Sequence, residues 1–186
     1  MKIARFLADN VVFKSAELLS LVQRDIPDAS LLKKYGADPS RFTEIGGVRV
    51  HFRDQGKKDG PTIMLLHGTN VSLHTWEDWV SELSDEFRLV TLDLPGHGLS
   101  GRLPGDDYQP ENILAFLKQF VEKLGLTRFS IVGNSWGGYI AWRYALAHAE
   151  NIERLVLIDS SGYPYADPLA WRLARQPGMF YIFRWV

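Results

Sequence analysis

The stretch SIVGNSWGGY, residues 130–139, joins an apolar run to a helical pattern. The run at residues 129–132 is typical of a buried strand, and apolar residues beyond Tyr139 recur at helical spacing. Between the two, the pattern Gly-x-Ser-x-Gly occupies residues 133–137. A serine on a sharp turn between a strand and a helix is the context in which this pattern presents a nucleophilic hydroxyl. The stretch therefore predicts such a turn at Ser135.

The sterics of the turn explain its glycines. Ser135 must adopt a strained backbone conformation for its hydroxyl to stand clear at the carboxyl end of the sheet. Gly133 and Gly137 let the strand and the helix approach each other without Cβ clashes. The helix N-terminus also directs free N–H groups and partial positive charge at any oxyanion formed there. Because the pattern is short, a tight turn with an ordinary surface serine is the alternative at this point.

The composition sets limits on function. The chain has 186 residues, of which 46% are apolar and 23% charged, with a formal net charge of −1, so one domain with a sizeable core is expected. The near-zero charge gives no reason to expect nucleic acid as a partner. The absence of cysteine excludes disulfides and thiolate chemistry. No histidine and carboxylate residues have metal-ligand spacing, so we expect no metal and no organic cofactor.

Residues 1–40 are predicted to form an N-terminal helical extension and a connector. Residues 1–23 alternate apolar and charged residues at helical spacing, and Asp9 and Lys14 break every apolar run before it could cross a bilayer. The same interruptions fit a signal peptide poorly, so a cytoplasmic location is expected. An amphipathic helix packed on its own domain is favoured over association with a membrane surface. Pro27 and residues 33–39 are interpreted as the connector.

Residues 41–163 alternate strands with helices. Two strands flank Gly46-Gly47, a two-residue hairpin signal. The predicted strands cover residues 42–45, 48–53, 62–66, 88–92, 129–132 and 152–158, and the predicted helices cover residues 76–83, 110–124 and the segment after Ser135. This alternation predicts a mostly parallel α/β sheet with ligands at the carboxyl ends of its strands. The loops after the third, fourth and fifth strands carry the unusual residues and meet at that edge.

Five segments together resemble the α/β-hydrolase superfamily, in particular its serine carboxylesterase-like members with an N-terminal extension and a helical cap. They are VHFRDQG (50–56), HG (67–68), DLPGHG (93–98), GNSWGG (133–138) and LVLID (155–159). The resemblance implies an α/β-hydrolase sheet of which this sequence holds six of eight strands. Residues 41–163 would form the incomplete core, and residues 164–186 the beginning of the cap.

The resemblance also implies roles for particular residues. Ser135 would attack an acyl carbonyl and form an acyl-enzyme. The backbone N–H groups of Trp136 and Thr69 would form the oxyanion hole. His67 and His97 are interpreted as structural residues of their loops. The residues considered for a substrate pocket are Asn70, Trp76 and Asn134, with packing in the core favoured for Trp76.

The remaining catalytic groups are harder to place. The family order is serine, acid, histidine, and His148 is the one histidine after Ser135. Thirteen residues along a helix place it roughly 20 Å from Ser135, too far for a base. The histidines before Ser135 match no base position of the family. Asp159, at the end of the sixth strand, is an alternative acid, although a structural carboxylate that binds loop N–H groups is favoured.

We therefore expect this sequence to be the N-terminal part of a longer hydrolase, with the catalytic histidine and probably the acid outside it. A strand-swapped oligomer, a complementing second chain and a self-sufficient short form are the alternatives, because the sixth strand would otherwise be an open apolar edge. The expected activity is hydrolysis of a small carboxylic ester. Other acyl chemistry of the superfamily and a non-catalytic binding protein remain open. Serine at position 135 argues against the dehalogenase and epoxide-hydrolase branches, which need a carboxylate nucleophile.

Overall fold

The computed structural model describes residues 26–163 and Arg172. Residues 28–163 form one compact unit. The predicted helix of residues 1–23 lies outside the described residues, as does the predicted beginning of the cap at 164–186, apart from Arg172.

Six strands form one mixed sheet in the order β1-β2-β4-β3-β5-β6. They are β1 (Arg41–Ile45), β2 (Val48–Gly56), β3 (Thr62–Leu66), β4 (Arg88–Leu92), β5 (Phe129–Asn134) and β6 (Ile152–Ile158). β1 and β2 are antiparallel to their neighbours, whereas β4, β3, β5 and β6 run parallel. The predicted mostly parallel sheet and all six predicted strands are confirmed, with β2 three residues longer than expected.

Within residues 26–163, four helices accompany the sheet: α1 (Asp28–Tyr35), α2 (Glu77–Leu83), α3 (Pro110–Lys123) and α4 (Trp136–Ala147). Short 3₁₀ turns lie at Leu73–Trp76, Pro104–Asp106 and Ala149–Asn151. None of these described helices combines the length and the hydropathy that a bilayer crossing needs. α3 begins at Pro110 and ends just before Leu124 and Gly125, as the proline and glycine signals predict.

α1 corrects the expectation of a connector at residues 33–39. A helix occupies Asp28–Tyr35, with an acidic residue in its first turn and two lysines in its last, the arrangement that suits the helix dipole. Gly36 N–H closes it by donating to Leu32 O at 2.8 Å. Pro27 before the helix and Gly36 after it are the sequence signals that mark its bounds.

The two-residue hairpin between β1 and β2 is confirmed. Gly46 and Gly47 have φ values of 56° and 81°, and two successive positive φ angles are what a type I′ turn requires. Ile45 pairs with Val48 directly across the turn. The hairpin therefore fixes the register of the antiparallel edge.

The core lies on both faces of the sheet, because successive residues of a strand point to opposite faces. Met64 and Leu66 belong to a large cluster that includes the inner faces of α3 and α4. Leu65 between them belongs to a smaller cluster with Trp76 and Val132. Strands buried on both faces read as continuous apolar runs, which is why β3 was recognisable in the sequence.

β6 forms one edge of the described sheet. Within the described residues it pairs with β5 and no other strand. Leu155 and Val156 at its middle are 39% and 42% exposed. An open apolar edge of this kind is an aggregation hazard, and the strand-swapped oligomer stays a prediction.

Candidate active site

Ser135 lies on a strained turn between β5 and α4. Its φ is 52° and its ψ −115°, and such positive φ angles cost a non-glycine residue about 1–3 kcal/mol. Hydrogen bonds on both sides hold this conformation: Ser135 N–H donates to Ile158 O at 3.0 Å, and Ser135 O accepts from Tyr139 N–H and Ser161 N–H, each at 3.1 Å. The turn predicted from the sequence is present, and its strain is stabilised by β6 as well as by α4.

The glycines of the turn permit a close approach of three backbones. A Cβ on Gly133 would lie 2.4 Å from Gly137 O, and one on Gly137 would lie 2.3 Å from Leu66 O. Real Cβ atoms essentially never approach other atoms so closely. Both glycines are therefore required by β3, β5 and α4, as predicted.

The loop after β3 packs directly against this turn. A Cβ on Gly68 would lie 3.1 Å from Ser135 Cβ, so the Gly68–Thr69 peptide borders the serine. Trp136 is the first residue of α4, and the first N–H groups of a helix lack partners within it. No described residue accepts a hydrogen bond from the N–H of Thr69 or Trp136. Among the described residues, these two N–H groups near Ser135 therefore have no hydrogen-bond acceptor.

A cavity of about 320 Å³ opens beside these groups. Thr69 and Trp136 line it together with His97, Tyr108 and Arg102. His97 stacks on Trp136, with ring centroids 5.7 Å apart and an interplanar angle of 28°. The cavity is mainly apolar along its walls, and Ser135 is not one of its lining residues.

His67 shapes the loop that carries Thr69. The side chain is fully buried. Its Nε2 accepts a hydrogen bond from Leu94 N–H at 2.9 Å, and its Nδ1 lies 2.7 Å from Gly68 O. Burial lowers the pKa of His67 below its ordinary value, and the hydrogen bond to Gly68 and the charge of Asp93 only partly oppose this effect. A neutral histidine with this role agrees with the structural interpretation.

Asp93 is the buried carboxylate that sequence reasoning missed. Its oxygens accept hydrogen bonds from Leu73 N–H and Leu99 N–H, each at 2.8 Å, and from His51 Nδ1 at 2.7 Å. Burial alone would raise its pKa, but the hydrogen bonds from His51, Leu73 and Leu99 outweigh that penalty and lower the pKa of Asp93. Asp93 thus ties the loops after β3 and β4 to β2.

This network contains a serine, a histidine and an aspartate in series without forming a catalytic triad. Ser40 Oγ lies 2.8 Å from His51 Nε2, and His51 Nδ1 lies 2.7 Å from Asp93. However, Ser40 Oγ donates its proton to Tyr35 O at 2.8 Å, so that proton is directed away from the imidazole. His51 is also completely buried. The array anchors the segment after α1 to the sheet.

The other predicted pocket residues occupy different surroundings. Asn70 is exposed, has a φ of 60°, and lines a second cavity with His97. Asn134 donates from Nδ2 to Ile158 O at 3.3 Å, which connects the end of β5 to the end of β6. Trp76 is only 2% exposed and packs in the smaller core cluster, so its role is packing rather than contact with a substrate.

Asp159 follows β6 with a φ of 44° and an exposed side chain. No described residue donates a hydrogen bond to its carboxylate. The structural role that we favoured for Asp159, a carboxylate that binds loop N–H groups, also stays a prediction, whereas Asp93 does bind loop N–H groups. As an alternative acid Asp159 remains a prediction.

No imidazole contacts the Ser135 hydroxyl. All five histidines lie within the described residues, and their hydrogen bonds and ion pairs go to other groups. His148 lies just past the last residue of α4, and its ring packs at a tilted angle against Tyr144, which agrees with the expected separation from the serine. Among the described residues, no group of three histidines or carboxylates could hold a metal ion.

Comparisons with known proteins agree with this fold. A family model described as alpha/beta hydrolase fold matches residues 61–186. Haloalkane dehalogenase 2 of Mycobacterium tuberculosis is 35% identical over 133 residues, and epoxide hydrolase 4 of Mus musculus is 29% identical over 151 residues. These matches cover 72% and 77% of this chain but 46% and 41% of the relatives. The chain thus spans less than half the length of either relative.

A crystal structure of a membrane phospholipase A, described as a bacterial virulence factor, resembles the chain with a TM-score of 0.69 and 25% identity. The alignment covers 98% of this chain and 63% of the phospholipase chain.

Proposed function

The chain belongs to the α/β-hydrolase family, and from that premise we propose that it is a serine hydrolase that cleaves carboxylic esters through Ser135. The observation that carries the proposal is the serine itself, held at positive φ on the turn between β5 and α4. Its hydroxyl has no hydrogen-bond partner among the described residues. The Gly68–Thr69 peptide and Trp136, the first residue of α4, adjoin Ser135.

In the proposed reaction, Ser135 Oγ attacks the carbonyl carbon of an ester while a base removes its proton. The carbonyl oxygen becomes an oxyanion, and the N–H groups of Thr69 and Trp136 would stabilise it. The oxyanion then collapses, the bond to the alcohol oxygen breaks, and the alcohol leaves with a proton. Water repeats the attack on the acyl-enzyme and releases the acid. No described residue supplies the base, and we place it outside the present sequence.

The nucleophile distinguishes the proposed ester hydrolysis from epoxide hydrolysis and haloalkane dehalogenation, the activities for which two relatives are named. A carboxylate that opens an epoxide or displaces a halide forms an ester, which water can hydrolyse. A serine hydroxyl in the same reaction would form an alkyl ether, which water does not cleave under these conditions. Turnover through Ser135 therefore requires an acyl group. The resemblance to a membrane phospholipase A, which is named for acyl-ester chemistry, supports this class of substrate.

The test is hydrolysis of p-nitrophenyl acetate and butyrate by the natural protein that contains this sequence together with the segment that supplies the base, beside its variants Ser135→Ala and Ser130→Ala. Ser130 is a half-buried serine on the same strand, so its variant controls for general damage to β5. The proposal expects turnover or a burst of p-nitrophenol that disappears in Ser135→Ala and persists in Ser130→Ala.

A fluorophosphonate probe gives a second readout, with the modified peptide located by mass spectrometry. Modification of Ser135 supports the proposal. Ester turnover that survives in Ser135→Ala would refute it, as would turnover of styrene oxide or 1-chlorobutane in place of esters. A folded protein that neither hydrolyses esters nor reacts with the probe would point to a binding protein.

A further inference from the structure

We propose that His67 is a positioning residue for the oxyanion site, where it fixes the direction of the Thr69 N–H through the Gly68 carbonyl. The inference rests on the proposed function, since it assigns a catalytic consequence to a buried side chain that never touches the substrate. The juxtaposition that carries it is a chain of contacts from Leu94 through the imidazole to the Gly68–Thr69 peptide and Ser135.

The first step concerns the imidazole proton. A backbone N–H can only donate, so the 2.9 Å contact from Leu94 N–H requires an unprotonated Nε2 on His67. The single ring proton then resides on Nδ1. Because Nδ1 lies 2.7 Å from Gly68 O, it donates to that carbonyl. The loop after β4 thereby selects the tautomer that can hold the loop after β3.

The second step concerns the peptide unit. Gly68 O and Thr69 N–H belong to one peptide group, which is planar and nearly always trans. In a trans peptide the C=O and N–H bonds point in opposite directions. A hydrogen bond that fixes the Gly68 carbonyl toward His67 therefore fixes the Thr69 N–H away from His67, where no described residue accepts a hydrogen bond from it.

The third step concerns how closely the Gly68–Thr69 peptide approaches Ser135. A Cβ on Gly68 would lie 3.1 Å from Ser135 Cβ and 3.1 Å from Asn134 Oδ1, so the peptide has little room to shift toward the strand end. Thr69 and Trp136 also line the same cavity. Without the imidazole, rotation about the bonds flanking this peptide would turn the Thr69 N–H away from a developing oxyanion.

Two variants of His67 each keep one of its two hydrogen bonds and lose the other. The amide nitrogen of an asparagine falls close to the Nδ1 position, so His67→Asn can still donate to Gly68 O. The amide oxygen of a glutamine falls close to Nε2, so His67→Gln keeps the acceptor for Leu94 N–H and loses the donor for Gly68. Removal of one oxyanion donor costs about 10²–10³-fold in kcat, and misdirection of one should cost about 10–100-fold.

The experiment measures kcat and KM for p-nitrophenyl butyrate in the wild type and both variants, with urea unfolding as a check on stability. We expect kcat to fall about 10–100-fold in His67→Gln at unchanged KM, with His67→Asn within about fivefold of the wild type. The proposal would be overturned if kcat fell equally in both variants in proportion to their loss of stability in urea. It would also be overturned if His67→Gln showed no loss of kcat.

A second readout is independent of catalysis. Nitrogen NMR of the wild-type imidazole should show His67 neutral with its proton on Nδ1, and the Thr69 amide resonance should shift more in His67→Gln than in His67→Asn. A proton on Nε2 would overturn the inference even in an active enzyme. If the wild type shows no Ser135-dependent turnover, the proposed function fails, while the NMR result still decides whether His67 orients the peptide.

Discussion

The strongest quantitative prediction concerns Asp93, whose replacement by asparagine should destabilise the fold by about 3–5 kcal/mol. The carboxylate accepts three hydrogen bonds, one on Oδ1 from Leu73 and two on Oδ2 from Leu99 and His51. The asparagine side chain has one oxygen in place of two, so its NH₂ group must face at least one of these three donors. In the less costly orientation the oxygen replaces Oδ2, and the Leu73 N–H is left without an acceptor.

The magnitude follows from this orientation. A hydrogen bond to a charged group contributes about 1.5–3 kcal/mol, and leaving the buried Leu73 N–H without an acceptor costs about 1–3 kcal/mol more. Together these two effects give about 3–5 kcal/mol. Since small domains are stable by only about 5–15 kcal/mol, Asp93→Asn would lose a large fraction of the total stability.

Urea unfolding followed by far-ultraviolet circular dichroism measures the effect, with Asp59→Asn as the control. Asp59 is exposed, so its variant should stay within about 0.5 kcal/mol of the wild type. Because the folded pKa of Asp93 is lowered from 3.8, its stabilising effect is present above that pH and is lost as the pH falls through the folded pKa. The difference between wild type and Asp93→Asn should therefore shrink below about pH 3.8. A loss under about 1 kcal/mol at neutral pH would refute the reasoning.

Three further substitutions test other parts of the site and core. Gly137→Ala should prevent or severely weaken folding, because its Cβ would lie 2.3 Å from a β3 carbonyl. The control Gly101→Ala should fold normally, because its Cβ would meet nothing closer than 3.5 Å. Similar melting temperatures for the two variants would contradict the prediction. Ser135→Gly should be more stable than Ser135→Ala by about 0.5–1.5 kcal/mol, because glycine relieves the strain of a positive φ; equal stability in urea would show that the turn stores no strain. Thr91→Val should raise stability by about 1 kcal/mol, since the Thr91 hydroxyl is buried without a hydrogen-bond partner in the described part of the chain. A lower unfolding midpoint for Thr91→Val would mean that this hydroxyl binds a buried water.

Local patterns were enough to predict the sheet and the turn at Ser135. Apolar runs are read directly as buried strands, and β3 and β4 appear at the expected residues. The glycines at 133 and 137 were predictable because a strand and a helix cannot approach closely when either carries a Cβ. These features depend on residues near one another in the sequence.

The polar network could not be predicted in the same way. His51 and Asp93 are 42 positions apart, and they meet because β2 pairs with β4 and not with β3. Strand order is a property of the whole sheet, so the sequence did not identify His51 as the partner of Asp93. The carboxylate that binds loop N–H groups was therefore predicted at Asp159. One local signal was available: His51 is a polar residue directly between two apolar residues of β2, Val50 and Phe52.

The strand order also has a consequence for synthesis on the ribosome. β3 leaves the ribosome before β4 and β5, yet in the sheet it lies between them. The β1–β2 hairpin can form from local contacts alone, whereas β3 gains both of its neighbours only when the segment up to Asn134 has emerged. Until then the nascent chain presents the apolar residues of β3 and β4 without complete pairing, the state in which partly folded chains associate. We therefore expect the demand for chaperones to be highest while the segment between β4 and β5 is being translated.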